Sequence, residues 1–391
     1  MPPVWKLNSP QILALACLGA ALGAWLKRKL PLLDRLEIPA PVIGGTVFAL
    51  VTLTLHGRVM NFDADTTLQT LLMIAFMTTI GLNARVELIR RGGIGVVKLL
   101  AIATLGALLQ NVLGIGLAKA LGVDPRLGIL TGSVALAGGP ATAAAFGGTF
   151  EKLGVAGATS VALASATFGI AVAGLIGAYI GTRLARRKRL EAGEAGGAVA
   201  HSVASEPSDL LTAALMIGVC VGLGNLLSMA IERTGILLPA YIGAMIVAAV
   251  VRNLDDKLGF ARVAQGDIDQ LGRIALYLFI TMALINLKLW EIASLALPML
   301  VMLAAQVVFC WLMCVTLCYR GMGANYEGAV TTAGFCGFML GITANAVACM
   351  EEMVEKYGPA PQSFLVVPIV GAFLIDFTNS IIITAMANWL R

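Results

Sequence analysis

Apolar residues run along this chain in long blocks, and polar residues collect between the blocks. A helix that crosses a bilayer needs roughly 20 predominantly apolar residues. Ten blocks read as crossings: Pro10 to Leu26, Pro41 to Leu55, Leu68 to Leu82, Ile94 to Leu121, Ala158 to Leu184, Leu210 to Ile231, Pro239 to Val251, Ile268 to Leu287, Ile292 to Tyr319 and Phe364 to Leu390. Two further blocks, Gly128 to Phe150 and Glu327 to Met350, are rich in Gly, Ala and Thr and are interrupted. The first reads GILTGSVALAGGPATAAAFGGTF, with a break at Gly138-Gly139-Pro140. The second breaks at Gly341-Ile342-Thr343-Ala344-Asn345. A spanning helix satisfies its backbone groups internally, so a break at membrane depth persists only where it is buried in protein or lines a polar cavity. The two breaks are therefore the first candidates for a binding site. Each interrupted block is predicted to enter and leave on one side of the membrane.

Lys and Arg orient the spans. With the stretch holding Arg183, Arg186, Arg187, Lys188 and Arg189 placed in the cytoplasm, both termini fall outside. The loops holding Lys27, Arg28, Lys29 and Arg35, then Arg85, Arg90 and Arg91, then Arg252, Lys257 and Arg262, all fall inside. Residues 186–208 are Gly, Ala, Ser and charge with no apolar period, and read as a flexible cytoplasmic linker. It separates 1–185 from 209–391, and the two halves share landmarks at an offset of about 200 residues. Ile38-Pro39-Ala40 answers to Leu238-Pro239-Ala240, Asn83 to Asn286, Gly128 to Gly328, and Ala166-Thr167-Phe168-Gly169 to Ile369-Val370-Gly371. Five crossings per half is an odd number, so the second copy is inverted. The pattern predicts an all-α polytopic membrane protein of two inverted-topology repeats of five transmembrane helices, each with a broken re-entrant hairpin, an arrangement typical of secondary transporters.

Composition agrees. The chain is 59% hydrophobic and 13% charged, whereas a soluble domain is nearer half and a quarter. The formal net charge of +5 gathers in short loops, as topology demands, and points to no nucleic-acid partner. The seven cysteines lie in or beside apolar blocks and form no CxxC pair or disulfide framework. Cys310, Cys314 and Cys318 share a helix face and read as small packing residues, since no His or carboxylate accompanies them. The first apolar block is followed by Lys27-Arg28-Lys29, which is not a cleavable signal pattern.

Candidate chemistry sits at the breaks and in the last span. With Gly139 as cap and Pro140 as first helical residue, the N–H groups of Ala141 and Thr142 form a half-helix N-terminus, suited to an anion. In the second break Thr343 is predicted to cap, leaving the N–H groups of Asn345 and Ala346 free. Asp376 is a carboxylate well inside a span, with Thr378 and Asn379 close behind. A charge at mid-bilayer costs about 2.5–3.5 kcal/mol on insertion scales, so it reads as functional. Its oxygen-rich company suits a hard cation such as Na⁺, a proton site or structural polar contact being the alternatives. Asn83 and Asn286 either coordinate an ion or cap a helix end. Arg273 snorkels, and Trp5, Trp25, Trp290 and Trp389 form an aromatic belt. An enzyme reading fails for want of paired carboxylates or a Ser–His or Ser–Lys pair at depth. No P-loop or dinucleotide motif is present, so no catalytic residue and no organic cofactor is expected, and transport would be secondary.

Several segments, IAFMTTIGLNARVELIRRGG, LLQNVLGIGLAKALGVDPRLGILTGSVALAGG, ATFGIAVAGLIG, MALINLKLWEIASLALPML and FLVVPIVGAFLIDFTNSI, resemble the bacterial sodium/glutamate symporters. The resemblance covers nearly the whole chain outside the linker. It implies an Na⁺-coupled glutamate importer of the inner membrane, a homodimer in which a transport domain holding both hairpins slides past a scaffold. The tips depart from the family: GGPATAAA stands where a GGHGTGAA-like run is usual, and Phe335 in FCGFMLGITANA replaces a histidine. Thr142, Gly341 and Thr343 match. The expected substrate site is Gly138, Gly139, Pro140, Ala141, Thr142, Gly341, Thr343 and Asn345; the expected ion site is Asp376 with Asn379, Asn83 and Asn286. Another carboxylate, aspartate or a dicarboxylate, is the alternative cargo, and a passive channel the alternative class.

Overall fold

Each of the ten apolar blocks forms a helix in a computed structural model, which describes residues 2–31, 33, 38–188, 209–234, 238–291 and 295–390. Residues 189–208 of the expected linker lie outside the described residues. The helices are α1 (Ser9–Lys29), α2 (Ala40–Leu55), α3 (Thr67–Asn83), α4 (Val86–Ala120), α5 (Pro125–Ile129), α6 (Gly139–Lys152), α7 (Ala158–Lys188), α8 (Leu210–Glu232), α9 (Ala240–Leu258), α10 (Gln265–Ile285), α11 (Ala296–Met313), α12 (Tyr326–Leu340), α13 (Thr343–Tyr357), α14 (Pro361–Ile369) and α15 (Ile375–Trp389). Wide π-turns at Leu130–Val134, Cys314–Cys318 and Val370–Leu374 prolong α5, α11 and α14. Among the described residues, seven helices are long and apolar enough to cross a membrane by length and composition. The other three expected crossings are shorter or carry a polar end: α2 has 16 residues, α3 has 17, and α9 closes on Asp255, Asp256 and Lys257.

Local chemistry fixes the helix ends. Asn8 and Gln11 form a reciprocal capping box at α1, Asn8 Oδ1 accepting from Gln11 N at 3.1 Å and Gln11 Oε1 from Asn8 N at 3.0 Å. Its last turn holds Lys27, Arg28 and Lys29, the favourable sign at a C-terminus. The kink within α4 falls at Gly93, whose φ of 60° lies in the left-handed region. One element departs from the all-α expectation. A parallel ribbon pairs β1 (Val4–Leu7) with β2 (Asn61–Ala64), in register Val4 to Asn61. The segments preceding α1 and α3 thus satisfy each other's backbone groups, a long-range pairing that short polar-apolar stretches do not announce.

The chain divides into two compact units that do not follow the order of the sequence. Unit 1 comprises Met1–Asn83, Ala144–Leu163 and Pro207–Ala296. In it α1 packs on α2 and α10, and α9 on α8 and α3. Unit 2 comprises Ala84–Ala143, Ala164–Glu206 and Leu297–Arg391. In it α4 packs on α5, α14 and α15, and α12 packs on α13 and α14. Its core includes Leu99, Leu136, Phe335, Phe338, Met350 and Ile375, all 1% exposed or less. Both interrupted blocks contribute their breaks to unit 2.

Close approach within unit 2 depends on glycine. A Cβ built on Gly114 of α4 would overlap the backbone of Gly128 in α5, and the reverse also holds. Small residues at such crossings let helix backbones touch, the main source of helix association in lipid. Gly116, on the exposed side of α4, meets nothing within 4 Å. The expected outcome is that Gly114→Val destabilises the protein by about 1–3 kcal/mol, the usual range for overpacking. Gly116→Ala is expected to be neutral or stabilising, by up to about 1 kcal/mol. Thermal unfolding in detergent measures both; equal melting points for the two variants would contradict the packing argument.

Candidate functional site

The first break is longer than its Gly-Gly-Pro signature. Asp124 caps α5, its Oδ1 accepting from Arg126 N at 2.9 Å, with Pro125 at the first helical position. The same carboxylate pairs with the Arg126 guanidinium, which holds Asp124 below the usual carboxylate range. The helix then widens into the π-turn, where Gly132 leaves helical geometry (φ −95°, ψ −128°). Ser133, next along, donates its backbone N–H to Asn111 Oδ1 at 2.9 Å. Its carbonyl accepts from Gly138 N at 2.9 Å and from Asn379 Nδ2 at 2.9 Å. Gly139 has φ +63°, a conformation that disfavours a side chain, and Pro140 follows as α6 sets off. Thr142 is 1% exposed and packs against Gly138, where a Cβ would lie 2.5 Å from its Cβ.

In the second break, the chain leaves helical geometry at Gly341 (φ −143°, ψ −118°), Ile342 is extended (φ −135°, ψ 168°) and α13 starts at Thr343. Thr343 is not the cap. Ile342 occupies that position, and Asn345 reaches back from the first turn, its Oδ1 accepting from Ile342 N at 3.3 Å. The Asn345 amide also donates to the Ile170 carbonyl at 3.2 Å, from a fully buried position. Thr343 instead donates its hydroxyl to the Gly371 carbonyl at 2.8 Å. Ala346 N–H, expected to be free, closes the first helical bond to Ile342 O at 3.2 Å. The first-turn N–H groups, those of Thr343, Ala344 and Asn345, are the ones beyond reach of a preceding helical carbonyl.

The two breaks adjoin inside unit 2. A Cβ on Gly139 would stand 3.0 Å from Ile342 Cγ2 and 3.6 Å from the Gly341 carbonyl oxygen. Two neighbouring amides of α4 support them: Asn111 holds Ser133 of the first break, and Gln110 donates to the Met339 carbonyl, near the end of α12, at 3.1 Å. Gln306 of α11 donates in turn to the Gln110 carbonyl at 2.7 Å. These amides were missed in reading the sequence, where an uncharged side chain in an apolar block is weak punctuation. The available signal was a Gln-Asn pair within LLQNVLGIGL. Several buried polar atoms here have no protein partner: Gln110 Oε1, Asn111 Nδ2, Ser133 Oγ, Gln306 Oε1, Asn379 Oδ1 and Ser380 Oγ.

Asp376 stands in the first turn of α15, half-buried, and no described group donates a hydrogen bond to its carboxylate. The π-turn ahead of it follows Pro368, which lacks an N–H and so disturbs the helical ladder. Thr378 lies on another side of α15, its hydroxyl 3.3 Å from that of Thr104 on α4. Phe335 is fully buried and packs edge-on against Phe338 at 5.5 Å.

Asn83 and Asn286 belong to unit 1. Asn83, 3% exposed, donates to Asp269 Oδ1 at 2.9 Å and accepts from Gln265. Asn286 follows the last turn of α10 and donates to Gln69 Oε1 at 3.0 Å. Both asparagines are thus engaged at helix ends. Asn286 also lines a cavity of about 1270 Å³ within unit 1, walled by Phe48, Tyr241, Thr149, Glu151 and Lys288 among others. At its edge His56 stacks flat on Trp290, ring centroids 3.5 Å apart. The Tyr241 hydroxyl lies 3.0 Å from that of Thr149 on α6.

Residues 5–359 match the model of the sodium/glutamate symporter family. The chain is 39% identical to the sodium/glutamate symporter of Escherichia coli strain K12 over 393 aligned positions, covering 97% of each chain. It is 37% identical to the sodium/glutamate symporter of Haemophilus influenzae, covering 96% of each. Among solved structures, a sodium proton antiporter from Methanocaldococcus jannaschii aligns over 97% of both chains at 14% identity, with a TM-score of 0.45. By sequence identity sustained over nearly its whole length, this chain belongs to the sodium/glutamate symporter family.

Proposed function

We propose that this chain is a secondary transporter that imports glutamate together with Na⁺ across a bacterial inner membrane. The observation that carries the reading is one cluster in unit 2, where two helix breaks adjoin and a span beside them holds Asp376 and the half-satisfied Asn379. Unlike charges then find separate receptors. The substrate carboxylates would meet the half-helix N-termini near Gly138, Gly139, Pro140, Ala141 and Thr142, and near Gly341, Thr343 and Asn345, where backbone N–H groups and helix dipoles favour anions. Na⁺ would lie near Asp376 and Asn379, with Asn83 and Asn286 as secondary candidates in unit 1. Glutamate is a monoanion, so uptake gains from an inside-negative potential only with more than one Na⁺, by about 2.3 kcal/mol per net charge per 100 mV.

The helix order supports an inverted repeat with re-entrant hairpins. Prolines 39 and 239 stand at the caps of α2 and α9, and breaks at Gly138-Gly139 and Gly341-Ile342 occupy matching places in the halves 1–185 and 209–391. An odd number of crossings per half would put both termini outside and the 186–208 linker in the cytoplasm. The division of the chain into units that mix the halves favours elevator-type alternating access, with unit 2 carrying the cargo and unit 1 as scaffold of a homodimer. The altered tips, Pro140, Ala141 and Phe335, favour a second reading in which the cargo is aspartate or a dicarboxylate.

Proteoliposomes decide. An inward Na⁺ gradient is expected to drive accumulation of labelled glutamate above its outside concentration; uptake indifferent to Na⁺, or never exceeding equilibration, would overturn the reading and favour a passive pore. Competition by unlabelled aspartate and dicarboxylates ranks the cargo. Asp376→Asn is expected to raise the Na⁺ concentration for half-maximal uptake at least about tenfold, equivalent to about 1.4 kcal/mol. Unchanged Na⁺ dependence would remove Asp376 from the ion site.

Asn111→Ala tests the support of the first break. It leaves Ser133 N–H buried without its acceptor, at an expected cost of about 1–3 kcal/mol. Uptake is expected to fall together with the melting temperature. A variant with wild-type uptake and stability would show that Ser133 is held by other means.

A further inference from the structure

Three cysteines meet in the core of unit 2, where packing alone asks only for small apolar groups. Cys310 and Cys314 lie one helical turn apart on α11, at the onset of its π-turn, and Cys336 faces them from α12. Their Sγ atoms all lie within 4.8 Å of one another. Each is 2% exposed or less, and none is in a disulfide. We propose that Cys310, Cys314 and Cys336 form a three-sulfur site for a soft monovalent cation of the cuprous type.

Two arguments select that class of ion. The first is donor chemistry: soft thiolates favour Cu⁺ over the hard cations that oxygen ligands hold, and among the described residues no His, Asp or Glu joins the cluster. The second is geometry. A trigonal ion with metal–sulfur bonds of about 2.3 Å sets its sulfurs about 4.0 Å apart, so closing this cluster needs only small side-chain movements. A structural Zn²⁺ site wants four ligands in a tetrahedron, and the cluster supplies three.

The site has a structural consequence. Cys336 lies in the last turns of α12, ahead of the break at Gly341, whereas Cys310 and Cys314 belong to α11. A bound ion ties the arm that leads into the second break to its neighbouring span.

The test uses the full chain in detergent, reduced under anaerobic conditions, loaded with Cu⁺ and desalted against a cuprous chelator. Wild-type protein is expected to retain a single copper per chain by elemental analysis, and to melt at a higher temperature when loaded. Cys336→Ala and Cys314→Ala are each expected to lower retention about tenfold or more, roughly 1.4 kcal/mol or more of binding free energy. Cys349→Ala, which removes a buried thiol outside the trio, and Cys17→Ala, which removes the exposed one, are expected to retain it. Two independent cluster variants keep the test decisive should one fail to fold. No copper on folded wild-type protein, or retention undiminished in the folded cluster variants, overturns the proposal.

Discussion

Backbone that leaves the helix inside a bilayer has no water to turn to, and this constraint organises unit 2. Each buried peptide group left unpaired costs about 1–3 kcal/mol, so two breaks side by side need partners supplied from elsewhere. The chain supplies two of them from α4 and the others from α15 and α13. Asn111 takes the Ser133 N–H of the first break, and Gln110 covers the Met339 carbonyl at the second. Asn379 of α15 closes the Ser133 carbonyl, and Asn345 recaptures the Ile342 N–H within its own break. The breaks are held by amides rather than by charges, which suits the proposed uptake and release of both an anion and a cation there.

Amides also explain why the site keeps spare capacity. A Gln or Asn side chain offers donors and acceptors at once, so it can hold a backbone group with one end and leave the other unused. Gln110, Asn111, Gln306 and Asn379 each do so, and each has one buried polar atom without a protein partner. In a core built for stability alone such atoms are a cost. In a transporter they are a means of making each loaded state better satisfied than the empty one.

The sequence reveals elements better than it reveals partnerships. Each of the ten apolar blocks holds a helix among the described residues, because lipid demands length and hydrophobicity and both are local properties. Gly138-Gly139-Pro140 announced the first break because proline and glycine are local punctuation. Gly132 and Ser133, where the backbone first departs from a helix, were not legible: their geometry depends on Asn111, distant in sequence. The cap position of α13 falls to Ile342, bonded back by Asn345, instead of Thr343 for a related reason, since the Thr343 hydroxyl has a better-placed acceptor in Gly371, supplied by another element. The division into units was equally hidden. Contacts between helices far apart in the chain decide it, and periodicity carries no trace of them. Cys336 escaped notice as company for Cys310 and Cys314 because only the packing of α12 on α11 brings it there.

Asp376 gives the proposed coupling its physical form. A carboxylate in a span, with no donor to compensate it, opposes movement of the unit that holds it through low dielectric. A Na⁺ placed about 4 Å away would interact with it by about 4 kcal/mol at an effective dielectric near 20, against about 1 kcal/mol in water. Glutamate alone cannot perform this service, because its net charge has the same sign as Asp376. Bound at the proposed site, it would add a second negative charge to the same unit and deepen the penalty unless cations accompany it. The helix N-termini offset part of that charge, but each supplies only about half an elementary charge. On the proposed reading Na⁺ would serve on two counts, to neutralise Asp376 and to let the glutamate-loaded unit move. The proposed coupling then needs no separate valve: the electrostatics of one half-buried carboxylate beside two broken helices would make an Na⁺-free, glutamate-loaded unit the state least able to cross.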